Sequence, residues 1–146
     1  MAQKSKFEAR TEIRSSPQKL YGFFRNNMNT LARICPDKIQ SIQLLEGTDY
    51  SVGCVKLYKY VLGSLMMMKV KIEAIDDSNK SITFGALEGD IMQLYESFKV
   101  TVKVGDGFVK WTIEYEKASD AAPKPDLYGD FAVKVSKGLD AYLLSQ

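Results

Sequence analysis

Residues 126–145 read DLYGDFAVKVSKGLDAYLLS, and no other long stretch of this chain repeats its apolar residues at a helical period. Leu127, Phe131, Val135, Leu139 and Tyr142 fall three or four apart, which lines them along one stripe of an α-helix. Between Ser41 and Lys117 the apolar residues alternate with a period of two instead. A sheet with one apolar face and a single amphipathic helix must bury their stripes against each other, so the sheet wraps the helix. That predicts an α+β fold, and a concave sheet gripping a helix can leave a hollow between them.

The totals set the frame. At 146 residues and 45% hydrophobic, the chain has the size and apolar content of one domain spanning residues 1–146, with no linker. Twenty basic against eighteen acidic residues give a formal charge of +2, too weak a field to steer the protein onto nucleic acid or anionic lipid. The start, MAQKSKFEARTEIR, lacks the apolar core of a signal peptide, and the most hydrophobic run, Val61 to Met68, is far too short to span a bilayer. The expected location is the cytoplasm, with neither nucleic acid nor membrane as partner and a monomer or weak homodimer as the state. Cys35 and Cys54 fit a reducing compartment as free thiols. The absence of histidine is the most useful single fact, because it removes histidine triads and histidine-ligated metals together. No metal or cofactor is expected, and proton chemistry would fall to Tyr, Lys, Asp, Glu or Cys.

Lys4 to Arg14 alternates as a strand with one face buried. Ser16 caps a helix with Pro17 at its first position, presenting Leu20, Phe23, Phe24 and Met28; a second short helix with Leu31, Ala32 and Ile34 ends at Pro36. From Ile39 onward the chain is a meander of strands: one ending at Glu46-Gly47, then Cys54–Leu62, Leu65–Ile75, Ser81–Leu87, Ile91–Val104 and Phe108–Lys117. Short turns between them require antiparallel pairing. The sum is a seven-stranded antiparallel sheet, two short helices after strand 1 and a long last helix.

Trp111, Ile113 and Tyr115 alternate with charged and polar residues and face the helix, as do Phe98, Val100, Val102 and Val104, and Ile82, Phe84 and Ala86. The strand from Gly53 to Leu62 is compatible with Val55 and Leu57 facing in, or with Tyr58 and Tyr60, in which case Lys56 shares their face. Met66, Met67 and Met68 suit an adaptable cavity wall. On pattern alone a solid core is the plainer reading, since core and lining stripes look identical. One long sheet around one helix nevertheless encloses more volume than a single stripe fills. The segment Glu46–Gly53 is not a phosphate cradle: it lacks the Gly-Lys-Ser/Thr ending and precedes a strand. Lys56-Leu57-Tyr58-Lys59-Tyr60 interleaves basic and aromatic residues, but a plain strand accounts for it. Asp76-Asp77 reads as turn chemistry, and Asp126 and Asp130 complement the positive end of the last helix.

Leu45-Glu46-Gly47, Leu87-Glu88-Gly89-Asp90, the run from Lys110 to Lys117 and Gly138-Leu139-Asp140-Ala141-Tyr142-Leu143 resemble the plant major latex protein family. That family is a branch of the birch-pollen-allergen and pathogenesis-related class 10 superfamily. The resemblance covers the whole chain. It implies the helix-grip fold with a large internal cavity, and the binding of hydrophobic plant metabolites such as hormones, flavonoids, terpenoids, sterols and alkaloids in defence or specialised metabolism. A minority of the superfamily are cofactor-free enzymes that cyclise or isomerise reactive intermediates. It also implies that Tyr58 and Tyr60, rather than Leu57, face inward. Two departures stand out: the loop after Glu46 keeps only Gly47 and Gly53 of the usual glycines, and Asp49 and Tyr50 stand where histidines are common. Both weaken any carry-over of ribonuclease activity.

The expected ligand-binding set is therefore Phe23, Tyr58, Tyr60, Met67, Ile82, Phe84, Phe98, Trp111, Ile113, Tyr115, Phe131 and Val135. Tyr58, Tyr60, Tyr115 and Lys56 are the candidates for proton donors or hydrogen-bond anchors in a cyclase or isomerase.

Overall fold

The computed structural model describes residues 4–146. Strands β1 (Lys4–Glu12), β2 (Ile39–Glu46), β3 (Val55–Leu62), β4 (Ser64–Asp76), β5 (Ser81–Gly89), β6 (Tyr95–Gly105) and β7 (Phe108–Lys117) form one seven-stranded sheet in the order β1-β7-β6-β5-β4-β3-β2. Every neighbouring pair is antiparallel, as short turns demand. Helices α1 (Pro17–Asn26) and α2 (Leu31–Ile34) follow β1, and α3 (Asp126–Leu144) closes the chain. This is the helix-grip architecture that the alternation and the last helix predict.

The sheet is bent by its irregular registers. The ladder slips twice between β2 and β3, twice between β4 and β5, and once between β6 and β7. Each extra residue adds local twist and kinks its strand, so the thirteen-residue β4 curls around the helix instead of lying flat. One sequence expectation fails at such a place. The sixth strand does not begin at Ile91: Asp90–Gln93 is a 3-10 turn and β6 starts at Tyr95. The turn buries Ile91 beneath Tyr95, Phe98, Ile113 and Tyr115 in a small cluster of its own, which a straight strand could not do.

The last helix is rotated from its apolar stripe. Val135 and Leu139 are buried as expected, but Leu127 is 60% exposed and Tyr142 37% exposed. The face that meets the sheet carries small and polar residues, Gly129, Ser136 and Asp140. A Cβ on Gly129 would lie 2.5 Å from the Phe7 ring and 3.3 Å from the Ala9 Cβ, so only glycine lets the helix come this close to β1. One turn from its end, Asp140 accepts hydrogen bonds from the Arg14 N–H at 3.0 Å, the Ser15 N–H at 2.9 Å and the Ser15 hydroxyl at 2.5 Å. It thereby ties α3 to the junction of β1 and α1. At that junction Ser16 Oγ accepts from the Lys19 N–H at 3.1 Å and Pro17 opens the helix, the cap that the sequence spells out.

Burial pushes the Asp140 carboxyl up, but the hydrogen bonds from Ser15 and Arg14 outweigh it and hold the group below the usual carboxylate range. A depressed folded value stabilises the fold above the unfolded carboxylate value of about 4, and that stability is lost as pH falls through the folded value. Asp140→Asn should therefore cost roughly 1–2 kcal/mol at pH 7. It should also flatten the acid side of the stability curve, which melts recorded from pH 7 to pH 3 would show.

Candidate functional site

Between the curved sheet and α3 lies a cavity of about 140 Å³. Close-packed interiors leave few voids much larger than a water molecule, so a space of this size is a feature of the fold and no packing accident. Each inner strand contributes residues two apart: Tyr58 and Tyr60 from β3, Met68 and Val70 from β4, Phe84 and Ala86 from β5, Phe98 and Val100 from β6, Trp111 and Ile113 from β7. Tyr128, Phe131, Ala132 and Val135 of α3 form the opposite wall, and Met28, Leu31 and Ile39 complete one side. No charged side chain is among them.

The wall is held in place by a few directional contacts. The Trp111 indole Nε1 donates to Ser136 Oγ at 2.8 Å, and that hydroxyl donates to the Ala132 carbonyl at 2.8 Å, which satisfies the indole N–H of β7 and the buried hydroxyl of α3 together. The Phe24 ring meets Trp111 edge-on, centroids 5.5 Å apart. Across the cavity the Tyr60 and Tyr128 hydroxyls share a hydrogen bond of 2.7 Å, which joins β3 to the first turn of α3. Phe131 packs edge-on against the Tyr60 ring at 5.8 Å. Burial raises the pKa of Tyr58, Tyr60 and Tyr128 above the ordinary phenol value, so all three stay neutral hydrogen-bonding groups.

Of the residues expected to bind ligand, the structure brings Tyr58, Tyr60, Phe84, Phe98, Trp111, Ile113, Phe131 and Val135 to the cavity. Four expectations change. Met67 is 46% exposed, because the alternation of β4 turns Met66 and Met68 inward and leaves Met67 outside. Phe23 and Ile82 are buried but do not line the cavity. α1 is moored over the β4–β5 turn by the Tyr21 hydroxyl on Asp77 at 2.6 Å and Arg25 on Asp77 at 3.1 Å, and its apolar residues fill that end. Tyr115 lies in the smaller cluster, edge-on to Tyr95 at 5.6 Å.

Lys56 is also corrected. It shares the inward face of β3, as the register of Tyr58 and Tyr60 requires, and it is 3% exposed, but it does not reach the cavity. Its ammonium pairs with Asp49 at 2.6 Å, donates to Asn29 Oδ1 at 2.7 Å and sits 3.8 Å from the Tyr50 ring centroid. Asn29 belongs to the 3-10 turn after α1, and Asp49 and Tyr50 to the glycine-containing segment 46–53. Gly47 (φ +81), Tyr50 (φ +64) and Gly53 (φ +94) bend it back so that Asp49 and Tyr50 cover one end of the barrel. Arg25 donates to the Tyr50 carbonyl at 2.8 Å, and the Asn29 N–H to the Tyr50 hydroxyl at 3.1 Å. Lys56 is therefore a structural cation. Among the described residues no group of three potential ligands could hold a metal ion.

Tyr128 and Ala132 are the cavity residues that hydrophobic periodicity misses, since both stand off the apolar stripe of α3. Small residues at 129, 132 and 136 were the available signal for the face that approaches the sheet.

Lys56→Met should leave Asp49 without its counter-charge and cost about 2 kcal/mol, less than the ~3–5 kcal/mol of fully buried pairs because Asp49 keeps 31% exposure and still accepts from the Asn29 amide at 2.8 Å. Adding Asp49→Asn should restore part of the loss. A double-mutant cycle of urea midpoints measures the coupling.

Over residues 2–146 the chain matches the Pathogenesis-related protein Bet v 1 family. MLP-like protein 43 of Arabidopsis thaliana is 38% identical, across 97% of this chain and 94% of that protein. Major latex protein 146 of Papaver somniferum is 27% identical, across 91% and 87%. Among solved structures, ginseng major latex-like protein 151 from Panax ginseng superposes with a TM-score of 0.92 at 31% identity, covering 95% and 97% of the two chains. A norcoclaurine synthase point mutant shares the fold, with a TM-score of 0.74 at 16% identity.

Proposed function

Since the chain belongs to the Pathogenesis-related protein Bet v 1 family, in its major latex protein-like branch, we propose that it binds a hydrophobic plant metabolite of terpenoid, hormone, flavonoid or alkaloid type in the cavity beneath α3. The observation that carries this reading is the cavity itself, lined by aromatic and aliphatic side chains with no charge on its wall. Every 100 Å² of apolar ligand surface taken out of water there contributes about 2.5 kcal/mol. Rigid rings such as Trp111 and Phe84 provide that contact with little loss of side-chain freedom on binding. The protein acts as a cytoplasmic carrier or receptor-like module in this reading. No helix among the described residues is long and apolar enough to cross a membrane.

A cofactor-free cyclase or isomerase using the same space would rest on Tyr58 and Tyr60, because Lys56 is neutralised by Asp49 and Tyr115 lies outside the cavity. Neutral phenols in a dry pocket suit the guiding of a reactive intermediate better than the removal of a proton from a stable one. Product ratios of such intermediates that are the same with and without protein would dismiss it.

Trp111 is the chain's one tryptophan and lines the cavity, so its fluorescence reports occupancy. Titration with a panel of terpenoids, flavonoids and steroids should give saturable quenching for at least one class. Ala132→Phe, which places a ring in the cavity from α3, should weaken that binding tenfold or more. Binding undiminished by this change, or quenching by no compound, would refute the reading.

A further inference from the structure

One polar group on the cavity wall has no hydrogen-bond partner among the described residues. The Trp111 N–H is taken by Ser136, and the Tyr60 and Tyr128 hydroxyls by each other. Tyr58 stands apart: its side chain is partly buried, and its hydroxyl makes no hydrogen bond with any described residue and keeps some accessible surface. Its side chain lines the cavity. A phenol on an apolar wall with no protein partner leaves its hydrogen bond to whatever occupies the cavity, since buried polar groups are ordinarily paired. The surroundings also limit what it can meet. No cation lines the cavity, and the nearby Lys56 is already neutralised by Asp49, so a carboxylate placed there would be buried without a counter-charge.

Resting on the binding function above, we propose that the Tyr58 hydroxyl is the polar anchor of the cavity. The ligand it selects is a compact, neutral molecule with one accepting oxygen, a hydroxyl, ether or carbonyl, on an otherwise apolar body. Tyr58 donates to that oxygen and fixes the orientation of the ligand along the barrel, while the apolar walls supply most of the affinity. Hydrocarbons of the same shape bind without orientation, and anionic analogues are rejected.

The test uses three small ring compounds that differ only in their polar group: p-menthane, menthol and p-menthane-3-carboxylate. Each is titrated into wild type and Tyr58→Phe with Trp111 fluorescence as readout. Because the substitution removes an oxygen without a protein partner, the ligand-free melting temperature should not change. Menthol should bind the variant about three- to tenfold more weakly than wild type, the loss of one hydrogen bond, while p-menthane stays within twofold. The carboxylate should bind wild type at least tenfold more weakly than menthol. Menthol and p-menthane responding alike to the substitution would overturn the anchor and leave cavity binding standing. A carboxylate as tight as menthol would overturn the selection for neutral ligands. If none of the three, nor any of the wider panel, quenched Trp111, the anchor would fall together with the binding function.

Discussion

Everything in this molecule follows from where α3 is allowed to sit. Gly129 removes the one Cβ that would strike Phe7, and Asp140 holds the other end of the helix to the β1–α1 junction. The helix is thus seated over β1 at one edge of the sheet. Beyond β7 the sheet bends away through its bulges, and the space between the helix and the central strands is left for the cavity. If hydrophobicity alone had set the rotation of α3, Leu127 and Tyr142 would be buried, and its small residues would face water.

The polar contacts are sorted by end. At the end covered by α1 and the 47–53 loop, Asp49, Lys56, Asn29, Tyr50 and Arg25 are hydrogen-bonded or ion-paired to one another. This network costs desolvation and adds little net stability over apolar packing, but breaking one member strands the rest. Its value is geometric: it keeps a glycine-hinged loop folded over the barrel. Toward the first turn of α3, the Tyr60–Tyr128 bond is the main polar tie between sheet and helix. The wall between these ends is almost wholly apolar, which leaves ligand selection to shape and to few hydroxyls.

Membership of the family is secure at 38% identity across nearly the whole chain, and the ginseng protein shows the same architecture. The norcoclaurine synthase, at 16% identity, shares the fold.

Alternation, turn residues and the Ser16-Pro17 pair determined the strands apart from the start of β6, their antiparallel order, the cap of α1 and the inward faces of β5, β6 and β7, because these depend on neighbours a few residues away. Eight of the twelve expected lining residues reach the cavity: alternation placed Phe84, Phe98, Trp111 and Ile113, the helical period placed Phe131 and Val135, and the family resemblance turned Tyr58 and Tyr60 inward. Tertiary structure decided the rest. Lys56 looked like a free ammonium beside two tyrosines until Asp49, seven residues back, folded onto it. Phe23 and Ile82 were apolar and correctly inward, but α1 occupies their end of the barrel. Tyr115 faces the right side of its strand and meets Ile91 and Tyr95 in place of the cavity. A period of two states which face a residue is on, whereas the distance from that face to whatever covers it is set by elements far away in sequence. That distance alone separates a lining residue from a core residue.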